Sequence, residues 1–333
     1  MERGPERGPE RGTDLARAIA VLEGGGLVAF PTETVYGLGA DAANEAAVAR
    51  IFAAKGRPRG HPLIVHLAEG ASLDGWAIDI PEAARQLARA AWPGPLTMIL
   101  RKGPRVAPAV TGGADTVGLR VPAHPVAQAL LRGFGGGIAA PSANRFGQVS
   151  PTTADHVAGE LGDAVDYLLD GGACDVGVES TIVDLSRGRA VVLRPGGLPR
   201  EDIEPITGPL AAPDAEAPAA PGTLESHYAP DAELIAVAPD EVPAAVAGAR
   251  ARGARVAVLA PAAAFAAWPP LPAHAHHLPD DLPGIARALY AALRDLDAAG
   301  FDVVIAALPP AVGLGEAVGD RLRRAAGPRR KSS

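Results

Sequence analysis

Two polar blocks set in apolar sequence carry the residue types best suited to chemistry: Phe30-Pro-Thr-Glu-Thr-Val-Tyr-Gly-Leu-Gly39 and Lys55-Gly-Arg-Pro-Arg-Gly-His-Pro-Leu-Ile-Val-His66. The first ends the strand-like run Gly26–Phe30 with hydroxyls, a carboxylate and two glycines. The second gathers Lys55, Arg57 and Arg59 within five residues of a chain that has only three lysines. A glycine-punctuated polar loop after a buried strand is where open α/β sheets place ligands. Cations held by Gly and Pro suit an anion, because ammonium and guanidinium groups grip phosphate and carboxylate oxygens through charge-assisted hydrogen bonds.

Charge distribution sharpens that reading. The 333 residues carry a formal net charge of −7, which disfavours bulk nucleic-acid binding. Residues 46–154 nonetheless hold twelve Lys or Arg against five Asp or Glu, a local net of +7 that fits a focused ligand such as a nucleotide. Arg85, Arg89, Arg101 and Arg105 read as solvated surface. The single cysteine, Cys174, excludes internal disulfides and multi-Cys metal sites and fits a reducing, cytoplasmic setting. In Gly-Gly-Ala-Cys it reads as a packing residue rather than a nucleophile. No apolar run reaches membrane-span length, and the first residues lack the apolar segment of a signal peptide. Phosphate-loop, kinase and nucleophile-elbow signatures are absent, so phosphate binding would rest on arginines, hydroxyls and loop amides.

The elements that must position these groups alternate. Helices are expected over Asp14–Glu23 (Thr13 as N-cap), Glu45–Ala54, Pro81–Ala91, Pro125–Leu131 and Thr153–Leu161. Strands are expected at Leu27–Phe30, Leu63–Leu67, Leu96–Leu100, Val117–Val121, Gly137–Ala140, Tyr167–Asp170, Ser180–Asp184 and Ala190–Arg194. The pattern predicts an α/β domain with a mixed, twisted sheet. A Pro- and Ala-rich stretch from 207 reads as an extended linker. Beyond it, a βαβαβ pattern predicts a small Rossmann-like domain without the Gly-x-Gly-x-x-Gly turn of a dinucleotide site. Its Ala273-His-Ala-His-His-Leu278 reads as a surface loop rather than a metal site. The limits expected are a disordered tail (1–12), a catalytic domain (13–206), a linker or lid (207–231), a second domain (232–327) and a basic tail (328–333).

Two further blocks complete the set. Ala139-Ala-Pro-Ser-Ala-Asn144 leaves Ser142 and Asn144 at a strand end, and Ser150 follows, able to meet a phosphate or cap the next helix. Gly177-Val-Glu-Ser-Thr-Ile-Val-Asp184 precedes Leu193-Arg-Pro-Gly196. Glu33 and Glu179 read as organisers of their own loops, and His66 alone would read as a satisfied, semi-buried histidine.

Taken in order, Phe30–Ala42, Lys55–Leu67, Trp92–Thr97, Gly118–Pro122, Pro141–Asn144, Glu179–Asp184 and Leu193–Gly196 resemble the successive motifs of the YrdC-type domain. Ser226-His-Tyr-Ala-Pro230 and the tail resemble the linker and C-terminal domain of the long, two-domain threonylcarbamoyl-AMP synthases. The resemblance implies a YrdC-type twisted mixed sheet around a positive concavity, plus a small Rossmann-like C-terminal α/β domain. It implies that ATP, L-threonine and bicarbonate or CO2 become threonylcarbamoyl-AMP and pyrophosphate, with Mg²⁺ carried by ATP and no protein metal site. The product would pass to a separate tRNA threonylcarbamoyl transferase complex, with no membrane partner and no stable tRNA binding. By similarity, Lys55, Arg57, His61, Thr116, Ser142, Ser150, Arg194 and Tyr228 match the ATP side. Thr34, His66, Arg120, the Ala140 backbone and Ser180 match the threonine side, with Thr32 and Asn144 as further candidates. Arg120 suits a carboxylate, which a guanidinium fork binds bidentately. An RNA-binding module is weakened by few aromatics and the acidic balance. A carbamoyl-transfer domain of hydrogenase-maturation proteins would need Cys pairs and length that this chain lacks.

Overall fold

The computed structural model describes residues 8–223 and 227–328. Its strands in chain order are β1 (Arg11–Gly12), β2 (Val28–Phe30), β3 (Gly37–Asp41), β4 (Ile64–His66), β5 (Ala77–Ile78), β6 (Leu96–Lys102), β7 (Thr116–Arg120), β8 (Ile138–Ala139), β9 (Tyr167–Leu169), β10 (Thr181–Asp184) and β11 (Val191–Arg194). They form one mixed sheet in the order β1-β9-β2-β3-β8-β4-β7-β6-β10-β11, with β5 paired to β6. A second sheet holds β12 (Glu233–Val237), β13 (Val256–Pro261), β14 (His274–Leu278) and β15 (Val303–Ala307), all parallel, in the order β12-β15-β13-β14. Two compact units result. One comprises the chain up to Phe146, Ser150–Asp175 and Glu179–Thr223; the other comprises Gly147–Val149, Val176–Val178 and the chain from Leu224 onward.

Period-two alternation sorts the first sheet into two faces. Val65, Met98, Leu119 and Val183 point into the main core with Ile51, Phe52 and Leu87 of the covering helices Glu45–Lys55 and Glu82–Ala91. Their neighbours along the strands, among them Ile64, His66, Thr97, Ile99, Arg120 and Ile182, therefore face the other way. Ile64, Ile99 and Ile182 join Val191, Leu193 and Ala220 in a separate apolar cluster, with Ala211 and Ala217 packed on its edge.

That cluster corrects the expectation of an extended linker from 207. Residues 208–221 lie on the first unit, because small Ala side chains fit over the three isoleucines and Asp214 is held by Arg187 (2.9 Å) and Arg189. The end of the tail differs too. Arg11–Gly12 pairs with β9, and Arg11 bridges Asp170 (2.7 Å) and Asp155 (2.6 Å), so residues 8–12 are ordered. Most of the basic tail and residues 1–7 lie outside the described residues. Asp14, not Thr13, caps the first helix, its carboxylate accepting the Ala16 and Arg17 amides.

Strand β3 was missed because Gly37 and Gly39 read as a loop. The glycines are needed for packing instead: a Cβ on Gly39 would lie 2.7 Å from Ile138 and 2.8 Å from Phe30. The helix Arg200–Thr207, with Pro205 inside it, was also unexpected. The histidine stretch is β14, an edge strand paired in parallel with β13 rather than a loop. Histidine carries little strand signal, and the surrounding prolines obscured it.

Asp214→Ala should loosen residues 208–221 without unfolding the unit. Limited proteolysis should then cut that stretch several-fold faster, while the urea midpoint of the unit stays nearly unchanged, since the lost pairs are solvent-exposed. Unchanged cleavage would show that Asp214 does not anchor it.

Candidate functional site

Strand register brings the first group of candidates together. β4 and β7 run parallel with His66 opposite Arg120, and antiparallel β6 sets Thr97 opposite Arg120 on the other side. β10 lies parallel to β6 with Thr181 opposite Leu96, so Ser180 arrives beside Thr97, their hydroxyls 2.8 Å apart. The loop after β2 reaches the same end: Arg120 Nη2 donates to Glu33 Oε1 at 2.6 Å, and the Ala123 amide donates to Glu33 Oε2 at 3.0 Å. Glu33 thus ties its loop to β7, rather than organising its own loop as expected. Within that loop Thr32 donates to the Val35 carbonyl at 2.6 Å and accepts from the Thr34 and Val35 amides. Thr32 is the turn-former, and the Thr34 hydroxyl lies 2.8 Å from the Thr32 hydroxyl.

The second group gathers at the opposite ends of the same strands. Because β4 and β7 are parallel, the loop Arg57–His61 and Thr116 both precede them at their N-terminal ends. Antiparallel β8 runs back toward that end, where the Ala140 amide donates to the Ile64 carbonyl at 2.9 Å and delivers Ser142 and Asn144. Lys55, buried at the helix C-terminus, gives its ammonium to the Ser142 carbonyl (2.7 Å), the Asn144 carbonyl and Asn144 Oδ1 (3.3 Å). Ser142 Oγ donates to the same Oδ1 at 2.5 Å. The expectation of a phosphate-facing Lys55 needs correction: its three donors are already directed at this turn, which makes it a support for Ser142. Arg57 donates to the Pro62 carbonyl (2.9 Å) and lies 5.6 Å from the Phe146 ring centroid, which His61 also meets edge-on at 5.3 Å.

A third set links the two. Ser150 Oγ donates to Glu179 Oε1 at 2.6 Å, while the following helix is capped by Thr153. Arg194 donates to the Ser180 carbonyl (2.7 Å) and to the Pro221 carbonyl (3.1 Å). Gly196 allows that approach, since a Cβ there would stand 2.3 Å from the Glu179 carbonyl oxygen. Like Glu33, Glu179 bridges separate loops. Tyr228 belongs to the second unit, buried there at φ 62°, with Tyr290 stacked at 5.9 Å and the Arg321 guanidinium 5.0 Å from its ring centroid. Of the expected lid, Leu224–Ser226 lies outside the described residues.

Electrostatics follow from burial. His66 is pushed down to about 3 by burial and then by the Arg120 charge, so it is neutral at ordinary pH. Lys55 is lowered well below the usual lysine range by burial and by Arg57. Burial pushes the Cys174 thiol up to about 12, which disables it as a nucleophile. Arg120 Nε and His66 Nδ1 are buried with no hydrogen-bond partner among the described residues. Leaving such atoms unsatisfied costs about 1–3 kcal/mol each, and a ligand oxygen between them would recover it. Sequence reasoning overlooked Thr97 as a partner of Ser180; the alternation Thr97/Ile99 in β6 was the available signal.

Comparison with known proteins matches two family models in succession along the chain. A family model described as "Telomere recombination" (Sua5, YciO and YrdC proteins) matches residues 20–196. The model "Threonylcarbamoyl-AMP synthase, C-terminal domain" matches residues 198–327. The threonylcarbamoyl-AMP synthase of Pyrococcus abyssi is 44% identical over 322 residues, covering 93% of each chain. That of Bacillus subtilis is 41% identical over 323 residues, covering 95% of this chain and 93% of its own. The crystal structure of P. abyssi Sua5 complexed with L-threonine superposes with a TM-score of 0.88 at 41% identity, covering 96% of each chain.

Neutral, buried His66 gives a pH signature with a definite sign. Its folded pKa lies below the unfolded value, so the unfolded chain takes up a proton first and stability falls as pH drops from about 6.5 toward about 3. Urea titrations at stepped pH should show His66→Gln losing about one proton of that dependence. An unchanged slope would place the shift elsewhere.

Proposed function

The chain belongs to the family of threonylcarbamoyl-AMP synthases, in its two-domain form, and we infer that it condenses L-threonine, bicarbonate or CO2 and ATP into threonylcarbamoyl-AMP and pyrophosphate. It is thus a nucleotidyl-transferring enzyme of tRNA modification. The observation that carries the assignment of sides is the buried Arg120, with Nε unsatisfied beside His66 and Ser180.

In this reading Arg120 receives the threonine carboxylate, while Thr34, Ser180 and the Ala140 backbone fix its hydroxyl and amine. Neutral His66 can offer or accept one hydrogen bond without adding charge. Glu33 holds Arg120 in place. The amine and CO2 form a carbamate and release a proton; a carbamate oxygen then attacks the α-phosphorus, and the bond to the pyrophosphate oxygen breaks. No covalent enzyme intermediate is required. Positioning and charge neutralisation supply the catalysis.

Arg57, His61, Thr116, Ser142 and Ser150 face the nucleotide, and Lys55 supports them by fixing the Ser142–Asn144 turn. Arg194 contacts Ser180 as well as the segment ending at Pro221, so it joins both sides. Mg²⁺ enters with ATP and would neutralise phosphate charge. In this reading the phosphates and water supply most of its ligands, as is usual for magnesium carried by a nucleotide. No helix among the described residues is long and apolar enough to cross a membrane, and a cytoplasmic site of action fits the reaction. The product then serves a separate tRNA threonylcarbamoyl transferase complex.

Mass spectrometry with labelled bicarbonate should show label in an adenylate formed only when threonine and ATP are both present. Pyrophosphate release independent of threonine would refute the assignment. Arg120→Ala should raise the threonine KM by about tenfold or more with a smaller effect on ATP, and Arg57→Ala the reverse. Arg194→Ala should raise both. EDTA should abolish turnover, and added Mg²⁺ should restore it; activity that persists in EDTA would remove the metal from the scheme.

A further inference from the structure

The second unit holds a cavity whose lining includes none of the residues matched above to ATP or threonine. It measures about 220 Å³ and opens at the carboxyl ends of the parallel strands, where Pro239, Pro261, Leu278 and Leu308 follow or end β12, β13, β14 and β15. The connections leave these strands toward opposite faces. Helix Val242–Ala251 and the stretch with Ala264 and Phe265 pack against Val256, Val258, Val303 and Ile305. The alternate residues, Leu259 among them, face helices Leu282–Ala298 and Leu314–Ala325, whose Ile285, Val318 and Leu322 also line the cavity. A crevice at such a divergence of connections is the usual ligand position in open α/β sheets.

Its lining states what can enter. Four prolines, Pro239, Pro261, Pro309 and Pro310, contribute no N–H groups. The nearby helix-start amides are already bonded: Ala263 N to Asp280 Oδ1 at 2.8 Å, and Gly284 N to Asp281 Oδ1 at 2.7 Å. A phosphate would find no amide cradle, and it would meet the Asp280 carboxylate. The remaining wall is aliphatic, and Asp280 is the one ionisable side chain in it. An apolar cavity of about 150 Å³ accommodates a benzene ring, so this one admits a ring with a short chain.

We propose that this cavity binds a small, unphosphorylated amine with an apolar body, its ring or branched chain against Leu259, Ile285 and Val318 and its ammonium on Asp280. The site is separate from the sheet face described above and does not depend on the reaction assigned there.

Calorimetric titration of the full chain with phenethylamine, and with 2-phenylethanol as the uncharged probe of similar size, tests it. Phenethylamine should bind saturably and about five- to tenfold more tightly than the alcohol. Asp280→Asn, which keeps an acceptor for the Ala263 amide, should level the two. Ala264→Leu, which fills the cavity, should abolish binding of both, with circular dichroism confirming the fold. Absence of saturable binding at millimolar probe, a preference that survives Asp280→Asn, or binding that survives Ala264→Leu would each overturn the proposal.

Discussion

Arginine 120 sits 4% exposed in the middle of a sheet, and a charge in that position must be balanced or the fold pays several kcal/mol. Glu33, itself buried, supplies the balance from a loop 87 residues earlier in a contact of 2.6 Å. This one ion pair ties the loop after β2 to β7, where Arg120 stands in register with His66. Because Glu33 takes Nη2, the Nε edge keeps a donor for something else. The pair is therefore a structural clamp, and in the proposed reading it also sets where the carboxylate of threonine would bind.

Around it, basic side chains are turned onto loop oxygens. Lys55 directs its amine at the carbonyl and amide oxygens of the Ser142–Asn144 turn, while its burial disfavours the charged form. Arg57 and Arg194 likewise turn toward the Pro62, Ser180 and Pro221 carbonyls. The result is a set of loops held in place by strand register and by these contacts. Preorganisation of this kind suits a reaction whose chemistry is positioning, since little protein rearrangement is needed as charge moves from the α-phosphorus to pyrophosphate.

Much of this was legible in the sequence because glycine, proline and short polar residues punctuate the strands where the site loops begin. The segments Lys55–His66, Pro141–Asn144 and Glu179–Asp184 stand out for that reason, as do eight of the eleven strands of the first sheet; the two-residue strands β1 and β5 are too short to show alternation. The partners of the charges were not legible. Nothing local indicates that Glu33 meets Arg120, that Lys55 turns inward to Asn144, or that Glu179 holds Ser150; each contact depends on strand order, which alternation does not encode. Strand β3 was hidden by glycines used for close packing, and β14 by histidines. The docking of residues 208–221 was hidden because an Ala- and Pro-rich composition describes a tether and a thin packed layer equally well.

In the proposed reading the unsatisfied Nε of Arg120 receives the carboxylate of threonine. Nuclear magnetic resonance of arginine-labelled protein reads that group directly, with Arg120→Lys providing the assignment. On addition of L-threonine the Arg120 Nε–H signal should move strongly and become slow to exchange with water, as a charge-assisted hydrogen bond forms. A signal that stays in place while threonine saturates the protein would contradict the claim and move the amino-acid site elsewhere.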